Sequence, residues 1–363
     1  MGDIKDYKCL SCGAPLVFDA NTQNLHCGSC GTEFSLETLQ QIDETDENIR
    51  QQQSKYDWSK YEPRNFSAED AVDLSAYSCP SCGAEIVGDN TMGSCVCPYC
   101  GNSTIIPGQF QNTLMPDYLI PFKIDKKKAM ESFEQACKKA RFLPDEFKNK
   151  KKIEEMTGVY VPFWMFDCKC NANIAYRANQ VHTWSDSQYN YTRTDYYKLL
   201  RSGSIDFANV PVDGSIKADD AYMEAIEPFD YNDAVNFDTA YLSGFLADKY
   251  DVSAEDSIER ANNRIKNSTE SAFAKTTSRY TSVVPENTNI NFSDGKIRYS
   301  LLPVWMLNLK YKDKMYKYAI NGQTGKVVGE YPISGKKKWL YFTKVFAIAL
   351  AVSAAALYVY SII

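Results

Sequence analysis

The chain has very little histidine, which limits the kinds of enzyme it could be. Only two histidines, His26 and His182, occur among 363 residues. His26 lies inside a cysteine motif, so a nucleophilic site with a histidine base would have to be built around His182, and no neighbouring residue suggests one. Carboxylates are plentiful, but the sequence does not pair them in space. We therefore expect a protein that is not an enzyme.

Basic residues are also missing where nucleic acid would need them. Residues 76–112 contain no Lys or Arg, and residues 1–35 contain only Lys5 and Lys8. Binding to phosphates depends on clustered cations that displace counterions, and a net charge of −6 gives no general attraction to nucleic acid. A Walker phosphate loop is absent as well, which argues against a helicase. Nucleic-acid binding, in replication or transcription, is kept as the alternative function.

The N-terminus lacks an export signal. No apolar run follows Met1, and Asp6 spoils a myristoylation signal at the sixth position. We therefore expect the chain to stay in a reducing cytosol. In that compartment its twelve cysteines favour metal ligation over a disulfide framework.

Charge is absent from the last nineteen residues, Val345 to Ile363. As a helix they would reach roughly 28 Å, close to the hydrocarbon thickness of a bilayer. The near flank is basic and aromatic, whereas the far flank has no basic residue; the flanking residues are Lys336, Lys337, Lys338, Trp339, Tyr341 and Lys344. This asymmetry predicts a single-pass anchor over residues 335–363, with residues 339–363 in the bilayer, in the cell membrane with the N-terminal body in the cytoplasm. The alternative is a buried core helix.

Four Cys-x-x-Cys-Gly motifs dominate the N-terminal region. They form two pairs, each separated by fourteen residues, and their cysteines are Cys9, Cys12, Cys27, Cys30, Cys79, Cys82, Cys97 and Cys100. Such turns aim two sulfurs at one ion, and two turns complete a tetrahedral zinc site. The spacing predicts two small zinc ribbons, over residues 1–40 and 76–112, with two Zn²⁺ per chain. Four thiolates leave no open position, so structural zinc is favoured over catalytic zinc.

Other interpretations of the cysteine motifs are weaker. A redox role for the Cys-x-x-Cys pairs is disfavoured because neither pair lies in a βαβ pattern. His26 and Cys95 lie near the first cysteine of the second turn in each ribbon, but four cysteines already fill each site, so we interpret both as bystanders. The ribbons are too small to bury much apolar surface. Zinc should therefore supply much of their folding free energy.

An acidic linker is predicted between the ribbons, over residues 41–75. Ser35 is placed to cap a short helix through Leu36, Leu39 and Ile42. The remainder is polar but carries several aromatic residues for a free tether: Tyr56, Trp58, Tyr61 and Phe66. These aromatics are expected to dock, either on the protein's own body or in a partner's groove.

The body, residues 113–334, is predicted to be an α+β domain with an internal repeat. One helix begins after Asp125 with Met130, Phe133, Cys137 and Ala140 on one face. A second begins with a capping box at Ser253 and turns Ile258, Ala261 and Ile265 inward. The segments Val161–Asp167 and Leu302–Asn308 have similar sequences, which suggests a duplicated helix-then-strand module. Trp164 and Trp305 in these segments are then core residues before they are ligand platforms.

The rest of the body has strand patterns. Residues 189–197 alternate with period two, and the pattern resumes at Ile205 after a turn predicted at Ser202-Gly203. Residues 321–325, Asn-Gly-Gln-Thr-Gly, predict a hairpin turn rather than a phosphate loop because strands flank them. Cys168 and Cys170 are spaced as neighbours on one strand face. Burial is the favoured interpretation of this pair, and a free thiol pair is the alternative.

These features together resemble a known family. The two ribbons, the motifs at residues 158–164, 210–215, 241–247 and 321–325, and the C-terminal anchor look like bacterial membrane-anchored TFIIB-type zinc-ribbon proteins, sometimes loosely labelled primosomal helicase-like. The resemblance covers most of the chain. It implies partners that are phage-shock-protein-A-like and flotillin-like (SPFH) proteins in the envelope stress response, and it supplies no catalytic or cofactor-binding residue.

The favoured function is therefore a non-enzymatic scaffold. Zinc-ribbon modules and a β-rich body, held at the cytoplasmic face of the membrane, would recruit other proteins there. The expected fold class is α+β, with two N-terminal zinc ribbons, a duplicated helix/strand body and one C-terminal transmembrane helix.

Overall fold

The structure is a computed structural model with mixed helices and strands. It describes residues 7–11, 13–51, 54–66, 74–89, 97–102, 106–107, 114–148, 153, 155–312 and 314–362. The helices are α1 (Leu36–Gln51), α2 (Lys126–Lys139), α3 (Asp220–Ala225), α4 (Ala254–Lys275) and α5 (Gly335–Ile362). Short 3₁₀ helices lie at Asp145–Lys148, Tyr231–Asp233 and Thr239–Leu242. The predicted α+β class is confirmed at this level.

Strands make up much of the rest. They are β1 (Val17–Asp19), β2 (Asn24–His26), β3 (Glu33–Ser35), β4 (Tyr56–Trp58), β5 (Leu74–Ser78), β6 (Glu85–Asp89), β7 (Ile106–Pro107), β8 (Tyr118–Leu119), β9 (Thr157–Ser185), β10 (Asn190–Asp213), β11 (Val235–Asn236), β12 (Leu246–Asp248), β13 (Ser282–Tyr311), β14 (Lys314–Asn321) and β15 (Val327–Gly329). Strands β1, β2 and β3 form a small antiparallel sheet. The others belong to a large sheet whose main path is β11-β8-β13-β9-β12-β6-β5-β7.

The chain divides into two compact units. The first comprises Met1–Tyr61, Phe166–Val210 and Ile258–Ile297; the second comprises Glu62–Met165, Pro211–Ser257 and Arg298–Ile363. The long strands β9, β10 and β13 therefore contribute residues to both units. Each unit has its own apolar core.

In the second unit, the strands next to the second cysteine pair continue into the body sheet. Strand β6 pairs with β5 on one side and with β12 on the other, where Ala247 lies opposite Val87 and Asp248 opposite Ile86. Strand β12 in turn runs parallel to β9, with Leu246 opposite Val159. The second cysteine region thus shares a sheet with the body rather than folding on a separate one.

In the first unit, the segment predicted as a linker contains more structure than expected. The helix that Ser35 caps extends to Gln51 instead of ending near Ile42, and the Ser35 hydroxyl accepts a hydrogen bond from the Thr38 N–H at 3.2 Å. Strand β4 then pairs in parallel with β13, so residues 56–58 are not a tether.

Trp58 holds this segment against the body. Its ring meets Phe166 edge-on at 5.1 Å and Phe292 at 6.1 Å, and its indole N–H donates to the Asn262 side chain at 2.8 Å. A Cβ added at Gly295 would collide with the backbone of Asp57, so the close approach of β4 to β13 needs glycine there. Packing of Trp58 on the protein's own body is thereby confirmed.

The helix starts in the body match their sequence signals. The Asp125 carboxylate accepts from the Lys128 N–H at 2.8 Å, and the Ser253 hydroxyl accepts from the Asp256 N–H at 3.1 Å. Helix α2 buries Ala129, Phe133 and Cys137, and the predicted Met130 and Ala140 are partly buried against the same core, so Ala129 adds to the predicted face. Helix α4 buries Ala261 and Ile265 as predicted and leaves Ile258 half-buried.

The turn at residues 321–325 forms the predicted hairpin between β14 and β15. The Asn321 side-chain oxygen accepts from the N–H groups of Gln323 at 2.8 Å and Thr324 at 2.9 Å, while Gly325 adopts a left-handed φ of +77°. Such geometry suits a turn, since Asn caps its own backbone and Gly tolerates positive φ. The turn predicted at Ser202-Gly203 is wrong.

Strand β10 runs through Ser202 and Gly203 without interruption, and the reversal between β9 and β10 lies at residues 186–189 instead. There the Asp186 carboxylate accepts from the N–H groups of Gln188 and Tyr189 at 2.8 and 2.7 Å. Gly203 lies under Phe273, where a Cβ would come within 3.4 Å of the ring. That separation is an ordinary van der Waals contact, so the strand would accept a side chain at position 203.

The C-terminal helix α5 is long and apolar enough to cross a membrane over Gly335–Ala355, and none of that window is buried. It is the one such helix among the described residues. The alternative of a buried core helix is therefore disfavoured for this part of α5. Length and composition alone carry this assignment.

Replacing Trp58 tests the docking of β4. We expect Trp58→Ala to destabilise the first unit by about 2 kcal/mol, because the half-buried ring loses its packing and Asn262 loses a hydrogen-bond donor. Released from β13, residues 55–60 should be cut faster by trypsin after Lys55 and Lys60, as read by mass spectrometry. Trp184→Ala is the matched control, since Trp184 is 51% exposed. Equal cleavage of wild type and Trp58→Ala would contradict the docking.

Candidate metal centres

The described Cys-x-x-Cys-Gly turns share one backbone conformation. In each, the glycine N–H donates to the carbonyl of the first cysteine at 2.8 or 2.9 Å, and the N–H of that cysteine donates to the carbonyl five residues later at 2.7 to 2.9 Å. The glycines have φ between +72° and +76°; they are Gly13, Gly31, Gly83 and Gly101. A side chain at these positions would be strained, which explains the glycine after each motif.

The second cysteine cluster is a four-sulfur cage. The Sγ atoms of Cys79, Cys82, Cys97 and Cys100 all lie within 4.8 Å of one another. The Cys79–Cys100 and Cys82–Cys97 separations are both 3.6 Å. A tetrahedral ion with metal–sulfur bonds of about 2.3 Å places its sulfurs about 3.8 Å apart, so the cage is the right size for such an ion. This cluster could hold a metal ion.

Burial and hydrogen bonds act on these thiols in opposite directions. Burial raises the pKa of Cys97 and of Cys82. Burial also disfavours ionisation of Cys79, but hydrogen bonds from the N–H groups of Cys82 and Ser81 outweigh it and lower the Cys79 pKa to about 7. Buried thiolates need a compensating positive charge, which a bound cation would supply.

The first cluster is more exposed. The sulfurs of Cys9, Cys27 and Cys30 come together within 4.8 Å, and the Cys9–Cys30 distance is 3.5 Å. Hydrogen bonds from the Thr32 hydroxyl and backbone lower the pKa of the exposed Cys30 to about 6. The fourth predicted ligand, Cys12, lies outside the described residues. Three described thiols at this spacing could also hold a metal ion.

The two residues interpreted as bystanders can be placed only in part. The His26 ring faces Glu33, with 3.7 Å between Nδ1 and the carboxylate, and His26 does not belong to the described Cys9, Cys27 and Cys30 group. Cys95 lies outside the described residues. The other histidine, His182, has its Nε2 3.4 Å from the Asp195 carboxylate in an exposed part of the β9–β10 hairpin.

Residues inside one turn of the second cluster make hydrogen bonds to the body. Tyr99, between Cys97 and Cys100, donates a short hydrogen bond to the Asp248 carboxylate, which also accepts from the Ser215 hydroxyl at 2.6 Å. The Pro98 carbonyl of the same turn accepts from the Asn308 side chain at 2.7 Å. Strand β12, the loop after β10 and strand β13 therefore all hold this one turn.

Asp248 is an unusual group to find in this position. Burial raises the pKa of its carboxyl to about 7, although the hydrogen bonds from Ser215 and Tyr99 oppose that rise. The Tyr99 hydroxyl, also buried, has its pKa raised by burial and by the nearby Asp248. A buried carboxyl is expensive unless its oxygens are satisfied, so this hydrogen-bonded group should form only when the turn is correctly placed.

The described hydrogen bonds of the two turns in the first cluster include no comparable contact with the body. Its sheet instead exposes two neighbouring apolar side chains on β1, Val17 at 68% and Phe18 at 51%. The two cysteine clusters therefore use the same turn chemistry in different surroundings.

The cysteines could be predicted from sequence, but their supports could not. Tyr99 differs from the serine that occupies the same position in the other three turns, which was an available signal. Ser215 is the last residue of the motif at 210–215, and Asp248 directly follows the motif at 241–247; both motifs entered only through the family resemblance. Asn308 is the last residue of the repeated segment Leu302–Asn308.

Cys168 and Cys170 are buried in the first unit, as predicted, and Cys170 contacts the Thr269 hydroxyl at 3.3 Å.

Comparison with known proteins shows a similar chain in Bacillus subtilis. The uncharacterized protein YdjG of Bacillus subtilis is 34% identical over 340 residues, which are 94% of each chain. No protein-family model matches the sequence. No solved structure matches it either.

Removing the Tyr99 hydroxyl tests the contacts between the body and the second cluster. We expect Tyr99→Phe to cost about 1–3 kcal/mol of unfolding free energy, because the buried Asp248 loses a donor while the ring volume is kept. Metal content should not change, since all cysteines remain. Tyr189→Phe, at a side chain that is 63% exposed, is the control and should shift stability by less than about 0.5 kcal/mol. Denaturant unfolding measures the stability of both variants. A Tyr99→Phe protein as stable as wild type would contradict the proposed role of the Tyr99–Asp248 hydrogen bond.

Proposed function

The chain belongs to the family of the Bacillus subtilis protein YdjG, and we propose that it is a membrane-anchored zinc-ribbon scaffold without enzymatic activity. In this proposal it recruits protein partners at the cytoplasmic face of the cell membrane. The observation that carries the proposal is the contrast between its cysteine clusters. One is built into the body sheet, and the other is presented on a small exposed sheet with apolar side chains facing outward.

Zinc is the metal we assign to both clusters. All described ligands are cysteine sulfurs, and the second cage has the size of a tetrahedral thiolate site, which suits zinc. When bound, zinc would neutralise the buried thiolates and close each ribbon. A cage with four protein sulfurs leaves no position for substrate, which supports a structural role. The TFIIB-type ribbon assignment follows from this interpretation.

We also propose that the body is duplicated. Strand β8, helix α2 and strand β9 follow one another in the same order as β12, α4 and β13. The short strand of each set pairs in parallel with the long strand of the other. The two tryptophans behave alike as well: Trp164 donates to the Val252 carbonyl at 2.8 Å, and Trp305 to the Ile124 carbonyl at 3.1 Å. Each carbonyl lies two residues before the helix of the other set, which supports a reciprocal repeat.

A cleft in the first unit supports protein recognition. It has a volume of about 1290 Å³ and lies between the first cysteine turn, helix α1 and strands β9, β10 and β13. Small-molecule pockets are usually about 300–1000 Å³ and mostly apolar, whereas this cleft is larger and carries both signs of charge. Its charged residues are Lys8, Asp43, Glu47, Arg177, Lys198 and Glu286. Such a lining fits a segment of another protein better than a cofactor.

The partners proposed are phage-shock-protein-A-like and flotillin-like (SPFH) proteins, acting in envelope stress. This choice rests on the family resemblance of the sequence motifs. The exposed helix α5, with lysines at its start, supports attachment to the membrane with the body in the cytoplasm.

Metal analysis tests the zinc assignment. Wild-type protein should carry about two zinc ions per chain. Cys97→Ser should lose about one of them and destabilise the second unit, since its turn is held by the body; Cys30→Ser should lose about one while the second unit keeps its stability. Cys137→Ala, a buried cysteine in α2, is the control and should keep both ions. Elemental analysis with thermal unfolding reads these outcomes, and a metal content near zero in reduced protein would refute the ribbons.

Separating anchor from recognition tests the scaffold. Deleting residues 335–363 should release a folded protein to the cytosol and abolish capture of the phage-shock-protein-A-like partner at the membrane. The double variant Val17→Ser/Phe18→Ser should stay in the membrane with full zinc content but lose that partner, because its exposed apolar contact is removed. Fractionation followed by pull-down and immunodetection measures both effects.

The control for the recognition variant is Ile216→Ser, since Ile216 is 70% exposed in the second unit. It should leave partner capture unchanged. Full partner capture by the cytosolic truncation would refute the scaffold. Salt-sensitive binding of the purified protein to DNA, measured by filter binding, would put the nucleic-acid alternative first.

A further inference from the structure

The C-terminal helix is fastened to the second unit at its base. The Lys337 ammonium donates to the Leu143 carbonyl at 2.8 Å and lies 2.6 Å from the Asp145 carboxylate. Just before the helix, the Ser334 N–H donates to the Phe142 carbonyl at 2.8 Å. The loop that follows helix α2 is thus fixed beside the first turn of α5.

A second contact fixes the next turn. The Arg141 guanidinium donates to the Tyr341 hydroxyl at 3.0 Å and lies 5.2 Å from the centre of its ring, and Phe142 meets that ring edge-on at 5.5 Å. Lys337 and Tyr341 are four residues apart, so they share one side of the helix. The loop therefore follows α5 for more than one turn.

These contacts gather positive charge around the base of α5. We name as the basic collar six exposed cations that lie close in the chain to the residues making these contacts: Lys138, Lys139, Arg141, Lys336, Lys338 and Lys344. Lys138 precedes Arg141 by three residues, a span of at most about 11 Å. Lys344 lies seven residues after Lys337, two turns along the same side of the helix. The Asp145 carboxylate is already paired with Lys337. Glu134, one turn before Lys138, adds one negative charge, so the net charge of the collar stays positive.

The collar lies at a defined depth if α5 spans a bilayer, as the proposed function holds. The uncharged run begins at Val345, directly after Lys344. Trp339 and Phe342 are 68% and 57% exposed and lie at the positions where aromatic residues mark the membrane interface. The cations of the collar would then lie at the level of the lipid headgroups, where they meet phosphate rather than hydrocarbon.

From this geometry we propose that the basic collar binds anionic phospholipid headgroups, such as phosphatidylglycerol. The collar presents exposed cations from the end of helix α2, the loop after it and the start of helix α5, which the contacts of Lys337 and Tyr341 hold together, and its charge is complementary to a headgroup with a net negative charge. A zwitterionic headgroup offers no net charge in return. The inference rests on the proposed membrane anchor and adds the class of lipid that the anchor selects.

Lipid-specific quenching tests the proposal in the full-length protein. The protein is reconstituted into phosphatidylcholine vesicles that contain an equal mole fraction of brominated phosphatidylglycerol or brominated phosphatidylcholine. Bromine in the acyl chains quenches tryptophan fluorescence at the bilayer, and the Trp339→Phe protein supplies the background from the other four tryptophans. We expect brominated phosphatidylglycerol to bind on the order of fivefold more strongly, and this preference to shrink in high salt.

A charge-matched pair of variants localises the effect. Lys138→Gln/Lys139→Gln should reduce the preference towards unity, because it removes collar charge without touching the contacts of Lys337 or Tyr341. Lys126→Gln/Lys127→Gln, at the opposite end of the same helix, removes equal charge and should keep the preference.

The outcomes separate the collar from the anchor. Equal quenching by both lipids in an incorporated wild-type protein would overturn the collar and leave the anchor intact. An equal loss in both double variants would also overturn the collar, since it would reduce the preference to net charge. Failure of the protein to enter any vesicle would refute the anchor and the collar with it.

Discussion

The second unit depends on how one turn of the second cysteine cluster is held. Tyr99 and Asn308 tie that turn to two different strands, and Asp248 stands at the centre as a buried carboxyl. Satisfying such a group requires donors from both sides, here Tyr99 from the cluster and Ser215 from the body. Because an unsatisfied buried carboxyl is costly, the positions of the cluster and of β12 constrain each other. A small cysteine cluster and a large sheet thereby become one cooperative structure.

Much of the fold could be predicted from local sequence chemistry. The Cys-x-x-Cys-Gly motifs specify their own turns, since glycine at positive φ and backbone hydrogen bonds suffice. Asp125 and Ser253 cap their helices through contacts within three residues, and Asn321 shapes its turn in the same way. Hydrophobic spacing placed Phe133 and Ile265 in the core. Each of these signals acts over a few residues, which is why sequence patterns capture them.

The contacts that sequence patterns did not identify join partners far apart in the chain. Trp58 meets Asn262 across more than 200 positions, and the Tyr99–Asp248 contact spans nearly 150. Ser202 and Gly203 carry a turn-like signal, yet they lie inside the continuous strand β10. Helix α1 continues to Gln51, beyond its apolar pattern, through a polar stretch that was predicted as a linker. Contacts between distant segments are set by tertiary packing, and no single-sequence pattern reports which distant residue will supply them.

On the proposed function, the exposed ribbon and the anchored helix also depend on each other. Val17 and Phe18 are two exposed apolar side chains on successive positions of β1, and two side chains bury far less area than the roughly 1000 Å² expected of a stable interface. Alone, contacts of this size would bind weakly. Attachment to a membrane confines both partners to one surface and raises their effective concentration without any new contact. Because helix α5 is fastened to the second unit through Lys337 and Tyr341, it holds that unit at its base rather than on a free tether. Weak recognition by the ribbon then suffices at the membrane and fails in solution, so location itself makes the recruitment selective.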